Sequence, residues 1–299
     1  MQATVLVADK ETGKIYVNFD PQILQLIKET KCIQRMGLEI PETAKFMCLK
    51  EKELKNAYMN LHNMLQSKTL ITARIPQILL KAIGPHLEEL DRVLQPGLTS
   101  LTWTSLTLNS YLQNVQSQIN RLEELVFKIM DISECRIDAG LQKICELCLC
   151  EIPSEHEQWT IEELLTRTES HCAKMAESIN RRSEIIEIAA GDLINILKKG
   201  QSDEKQAEMA INYEEVFHHF NHRVVEAMVQ CTRGSLDLVK NRLGSYTGNQ
   251  YNKVQTQKPF FKAELILSIP NVLVLPKLED IQAALSKKSN MASFFQSAI

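Results

Sequence analysis

The chain has 299 residues, 44% hydrophobic and 24% charged, enough to bury a substantial core in two or three packed units. Its net charge of -3 supplies no general basic field for nucleic acid or an anionic membrane. Ten glycines, nine prolines and 6% aromatics favour long helices over a β-sandwich, whose many turns need more of both breakers.

The N-terminus, "MQATVLVADKETGK", lacks a basic leader and meets Asp9 before any long apolar run, so it does not read as a signal peptide. "TVLVAD" and "KIYVNF" are short, β-branched and partly alternating, and Gly13 lies in the turn between them, which predicts a β-hairpin. Asp20-Pro21 predicts an N-cap with proline in the first turn of a helix running to about Lys31, and a second helix opens at Pro41-Glu42. Leu54, Tyr58, Leu61 and Leu65 then form one face of a longer helix, and another carries Ile75, Ile78, Leu79 and Ile83. Gly84-Pro85 is expected to bend or interrupt that helix, and Pro96-Gly97 to stop it. Thr99 or Ser100 would cap the next helix, with Trp103 filling the corner between the two.

Leu108, Leu112, Val115, Ile119, Leu122, Val126 and Ile129 alternate steps of four and three, a three-heptad seam that needs a partner. A second seam runs Ile161, Leu165, Thr168, Cys172, Met175, Ile179, Arg182, Ile186, Ala189, Leu193 and Ile196. Between them Pro153 ends a helix and "PSEHE" turns the chain, so an antiparallel helical hairpin is the economical arrangement. Arg182 within the seam either snorkels, pairs with an acid and sets register, or marks the drift of a straight helix against a strict heptad. Lys198-Lys199-Gly200 reads as a C-cap. "QSDEK" leads into a third long helix marked by Met209, Tyr213, Val216, Phe220 and Val224, with a continuation to Leu243 in which Gly234 is a candidate bend. "GSYTGNQYN" reads as a linker, "AELILSIP" and "NVLVLP" as a terminal hairpin, and "KLEDIQAALSKK" as a final helix. The most apolar window, "LILSIPNVLVLP", is broken by Pro270 and is shorter than the ~18 residues of a membrane span. The fold class is therefore mainly α: elongated helical bundles with long antiparallel helices and a small β-hairpin near each end. Three regions are expected: 1–50 with the hairpin and short helices, 51–246 as the long-helix bundle, and 247–299 with the second hairpin and last helix.

No GxxxxGK[ST] or GxGxxG occurs, so nothing offers a preformed phosphate cradle. Cys145, Cys148 and Cys150 form CxxCxC in a helix-like apolar stretch, with no second cluster at zinc spacing; core packing is the reading they favour. His218 and His222 could share a metal on one helical face beside Glu215, but the HExxH order and a third ligand are missing. The pairs Glu88-Glu89, Glu123-Glu124 and Glu162-Glu163, and the runs Lys198-Lys199 and Lys287-Lys288, read as solvated helix faces and ends. Eight cysteines without a secretory signal suggest reduced thiols in the cytosol or a cilium. No catalytic, cofactor-binding or metal-ligating residue is expected, and no small-molecule substrate, nucleic acid or membrane.

Four stretches together resemble the N-terminal stem of dynein heavy chains, most closely the axonemal ones. They are "VNFDPQILQLIKETKCIQRMGLEIPETA" (Val17 to Ala44), "LQPGLTSLTWTSLTLNSYL" (Leu94 to Leu112), "SLDLVKNRL" (Ser235 to Leu243) and "PFFKAELILSIPNVLVLPKLEDIQAAL" (Pro259 to Leu285). The resemblance implies a non-catalytic stem segment in the cytoplasm, cytoskeleton and ciliary axoneme. It implies a scaffold that joins other dynein heavy chains and carries intermediate and light chains, while the ATPase ring and microtubule-binding stalk of the family lie far downstream. A free-standing, motorless helical adaptor is the alternative, and a zinc enzyme built on the Cys and His clusters is a third reading.

Overall fold

The structure is a computed structural model that describes residues 3–153, 157, 159–199, 201–244, 263–283 and 286. It is mainly α, with a small antiparallel hairpin near each end. Two compact units emerge, each from non-contiguous segments: Met1–Met130 with Asn195–Val216, and Asp131–Ile194 with Phe217–Ile299.

In the first unit β1 (Leu6–Ala8) pairs with β2 (Ile15–Val17), Leu6 opposite Val17. The turn is organised by Asp9, whose carboxylate accepts from Thr12 Oγ1 (2.6 Å) and Glu11 N (3.1 Å). The Thr12 hydrogen bond holds the Asp9 pKa below its usual value. Gly13 completes the turn at φ +66°, a left-handed conformation that favours glycine. Asp20 Oδ1 accepts from Gln22 N (2.9 Å) ahead of α1 (Gln22–Arg35), where Pro21 rather than Asp20 takes the N-cap position. There follow α2 (Glu42–Leu49), α3 (Glu51–Arg74) and α4 (Gln77–Thr99). Pro76 separates α3 from α4, since the residue before a proline avoids helical geometry; Ile75 is accordingly extended, with ψ 124°.

The corner departs from expectation. Neither Gly84-Pro85 nor Pro96-Gly97 stops α4, which contains both prolines and ends at Thr99. Ser100 N and Leu101 N both donate to Pro96 O (3.0 and 2.9 Å), so Pro96 sits in the last turn, where its carbonyl is what the helix end uses. Thr99 Oγ1 turns back to Gln95 O (3.0 Å) and caps nothing ahead; the next helix, α5 (Leu108–Asp131), begins eight residues after Ser100. Trp103 packs against the strand end instead: its Nε1 donates to Asn18 O (2.7 Å), and its ring meets Phe19 edge-on at 5.2 Å. Val5 N donates to Leu101 O (2.9 Å), joining the hairpin to the corner.

All seven α5 seam residues from Leu108 to Ile129 are buried, as the heptad spacing predicts. Past Asp131 the chain forms a π-helical segment, Ile132–Asp138, then α6 (Ala139–Cys145). The buried stripe there steps by four (Ser133, Ile137, Leu141), the wider spacing of a π turn. α7 (Ile161–Lys198) opens with a capping box: Thr160 Oγ1 accepts from Glu163 N (3.2 Å) and Glu163 Oε2 from Thr160 N (2.9 Å). Its predicted seam is buried at Thr168, Cys172, Ile179, Ile186, Ala189 and Leu193, but Leu164 and Leu197 replace Leu165 and Ile196 as the buried residues at the ends. That is the drift of a straight helix against a heptad. Arg182 is half-buried and donates to Ser178 Oγ on its own helix (3.3 Å).

α8 (Asp203–Glu208) is short, and α9 (Ala210–Gly244) buries Tyr213, Val216, Phe220 and Val224 as expected, running through Gly234. Residues 245–252 of the expected linker lie outside the described residues. β3 (Glu264–Ser268) and β4 (Asn271–Leu275) form the terminal hairpin, and residues 278–283 begin the expected last helix.

Candidate interaction surfaces

The end of α7 shows how the first unit satisfies a helix terminus. His86 Nε2 and Gln201 Nε2 both donate to Leu197 O (3.1 and 2.9 Å), and Tyr213 OH donates to Gln201 Oε1 (2.8 Å). Beside this cap lies a groove of about 410 Å³ between α4, α5 and the α7 end. Its floor is Leu122, Leu125 and Ile196; Arg121, Lys128 and Lys199 line it, with no ion-pair partner among the described residues. A second groove, about 500 Å³, runs between β2 and α3 and is lined by His62 and by no Lys, Arg, Asp or Glu, with Tyr16, Leu65, Thr69 and Leu70 among its other walls.

In the second unit, CxxCxC is not one helix. Cys145 ends α6, while Cys148 and Cys150 lie in the irregular segment after it. That segment is strapped to α9: Ser235 Oγ accepts from Leu149 N (2.8 Å), Cys231 Sγ donates to Leu147 O (3.1 Å), and Cys145 Sγ lies 3.3 Å from Gln230 Oε1. From α7, His171 Nε2 donates to Cys148 O (2.7 Å). Burial, then the neighbouring Cys148 and Cys145, pushes the Cys231 thiol up to about 11; burial likewise raises Cys172. Both remain thiols near neutral pH and pack as small buried groups, Cys231 also serving as a weak donor. The convergence of Cys231 and Cys172 on CxxCxC carries no spacing signal in the sequence.

The histidine run is similarly divided. His222 Nε2 lies 3.4 Å from Glu226, while His219 packs against the Phe220 ring, its pKa lowered mainly by burial. Glu89 pairs with Arg92 (2.8 Å), and Glu163 serves the α7 capping box. The π-helical segment is tied on two sides, by Arg136 to Asp192 (2.6 Å) and by Arg223 to Asp138 (2.8 Å). Among the described residues, no three His, Cys, Asp or Glu side chains are grouped to hold a metal ion, and no helix is long and apolar enough to cross a membrane. What the molecule offers is surface: two grooves and a terminal hairpin whose Leu265 and Leu267 are 74% and 75% exposed.

Comparison with known proteins shows what the chain is similar to. Residues 1–111 match the family model "Dynein heavy chain, N-terminal region 1". Over 96% of its length the chain is 31% identical to human dynein axonemal heavy chain 8 and 30% identical to mouse dynein axonemal heavy chain 5. It is 32% identical, over the same share, to the gamma chain of the flagellar outer-arm dynein of Chlamydomonas reinhardtii. The chain spans 7%, 7% and 6% of the lengths of these three relatives. Along nearly its whole length, this chain is homologous to the N-terminal region of axonemal dynein heavy chains.

Proposed function

We propose that the chain is a non-catalytic stem segment of an axonemal-type dynein heavy chain, a scaffold for assembly of the dynein complex in ciliary movement. The observation that carries this reading is similarity over 96% of the chain to axonemal heavy chains. Its mechanism is mechanical. Long helices bury one apolar stripe in a core and leave their other faces for neighbouring chains, so load passes through packed helices rather than through chemistry. The partners are other dynein heavy chains and dynein intermediate and light chains, met in the cytoplasm and on the axoneme. The two grooves and the terminal hairpin are the surfaces on which such partners would dock.

The test is co-purification. Tagged chain expressed in ciliated cells should be recovered from salt extracts of axonemes together with a dynein intermediate chain. Recovery only from the cytosolic fraction, without dynein subunits, would favour the motorless adaptor.

A further inference from the structure

The helical path from α5 into α6 carries one residue more than its buried stripe needs. The α5 seam alternates steps of four and three up to Ile129, and the buried residues after it are Ser133 (with Ile132 beside it), Ile137, Leu141 and Ile144. From Ile129 to Leu141 three steps of four span twelve residues, where the alternation would cover the same stretch in eleven. The surplus is taken up in Ile132–Asp138, the one π-helical segment among the described residues, whose wider turn holds the extra residue. Had the alternation continued, Arg136, Gly140 and Lys143 would follow Ser133 on the stripe; the surplus puts Ile137, Leu141 and Ile144 there instead. It also sets the phase of α6 against α7. A Cβ on Gly140 would stand 3.0 Å from Ile186 Cγ1 and 3.2 Å from Ile186 Cδ1, an approach that suits glycine.

The segment is held lightly. Its place in the seam is filled by a serine, Ser133, where a branched apolar side chain would pack more of the core. On its outer side Arg136 Nη1 donates to Asp192 Oδ2 of α7 (2.6 Å), and Arg223 Nη1 of α9 lies 2.8 Å from Asp138 Oδ1. The side chains of both pairs are partly exposed, where an ion pair contributes little. The second is a contact of charges alone: the Asp138 Oδ1 atom is buried, with no hydrogen-bond partner among the described residues.

We propose that Ile132–Asp138 is a yield point built into the second unit, the place where its helices open first, with the Arg136–Asp192 and Arg223–Asp138 pairs as its latch. When the latch parts, the wide turn can tighten to an α turn and pass its surplus residue along the helix. That carries Arg136 toward the buried stripe and swings Gly140 off Ile186. While the latch is closed, Asp192 holds Arg136 outward and the apolar side chains of Ile137 and Leu141 stay on the stripe. Opening is therefore local, drawn from the low-stability end of the molecule's own fluctuations. The device needs no partner chain and is independent of the stem reading.

Hydrogen exchange of the 299-residue chain, read by mass spectrometry of peptic peptides, tests this. Amides of residues 132–138 should exchange at least about tenfold faster than those of α5 between Val115 and Ile129 or of α7 between Ile179 and Leu193. Deleting Cys135, which is exposed, removes the surplus and returns Ile129, Ser133, Ile137, Leu141 and Ile144 to alternating steps of four and three. Exchange across the segment should then slow about tenfold, and the urea midpoint should not fall. Deleting Ser117, exposed in α5, breaks an intact seam and should lower that midpoint. Asp192→Asn keeps every residue in place but removes half of the latch, and should quicken exchange of 132–138 about threefold with Val115–Ile129 unchanged. Exchange no faster in the wild-type segment than in α5 would overturn the proposal. So would a Cys135 deletion as damaging as that of Ser117, or an Asp192→Asn variant that exchanges like wild type.

Discussion

Gly97→Ala should destabilise the protein although it replaces glycine by the best helix former. Gly97 is buried in the last turn of α4, and a Cβ there would stand 2.3 Å from Tyr111 Oη, 2.9 Å from Leu6 Cδ1 and 3.0 Å from Tyr111 Cζ. The obstacle is a buried ring rather than a flexible tip, and Tyr111 Oη is anchored by its hydrogen bond to Leu94 O at 3.2 Å. The helix gains about 1 kcal/mol from Gly→Ala. Against this stand about 1–3 kcal/mol of overpacking and about 1 kcal/mol for a displaced Tyr111 hydrogen bond. The net expectation is a loss of about 1–3 kcal/mol, taking these ranges together. The assay is urea denaturation followed by circular dichroism, with Gly234→Ala as the control. That glycine is exposed in α9 with nothing within 4 Å of its missing Cβ, so alanine should stabilise by up to about 1 kcal/mol. If Gly97→Ala stabilised as much as the control, the close approach of Leu6 and Tyr111 to α4 would be refuted.

Ser235→Ala leaves the buried Leu149 N–H without its acceptor and should cost about 1–3 kcal/mol, read by denaturation of the same chain. Glu51 accepts from Lys31 and Lys55, which hold its pKa at about 2 against an ordinary 4.5. A depressed carboxylate stabilises above its unfolded pKa, so stability should fall as pH drops from 4.5 towards 2, and Glu51→Gln should flatten that window. Under native conditions at pH 8 a chromogenic disulfide reagent should label the exposed Cys32 ahead of the buried Cys172 and Cys231, with Cys231 reacting only on unfolding; peptide mapping of the labelled sites checks the order.

The seams were legible because burial along a helix repeats with a period that spacing alone reveals: all seven α5 positions are buried, as are six of the α7 positions, while Met175 and Arg182 between them are half-buried. The corner was not. A proline inside a helix costs its host about 3 kcal/mol, so Pro85 and Pro96 read as breaks. Yet Pro96 falls in the terminal turn, where its carbonyl serves Ser100 and Leu101, and Gly97 admits Tyr111 and Leu6. Such compensation comes from residues far along the chain, which local propensity does not register. The cysteine segment is similar. CxxCxC gave no sign that Ser235 and Cys231, more than eighty residues away, would hold it. The Trp103 corner was expected to be structural, but its partner, the Asn18 carbonyl, needed coordinates.

The most direct test of the stem reading is the mass of the native polypeptide carrying the tryptic peptide from Val93 to Arg121, "VLQPGLTSLTWTSLTLNSYLQNVQSQINR". Proteins of ciliated cells are separated by size, and the peptide is located by mass spectrometry. The account predicts it in a very large polypeptide, in the same band as peptides of a dynein ATPase ring. Its presence solely near 34.1 kDa, with no ring peptides, would contradict that account and make the chain a scaffold without a motor.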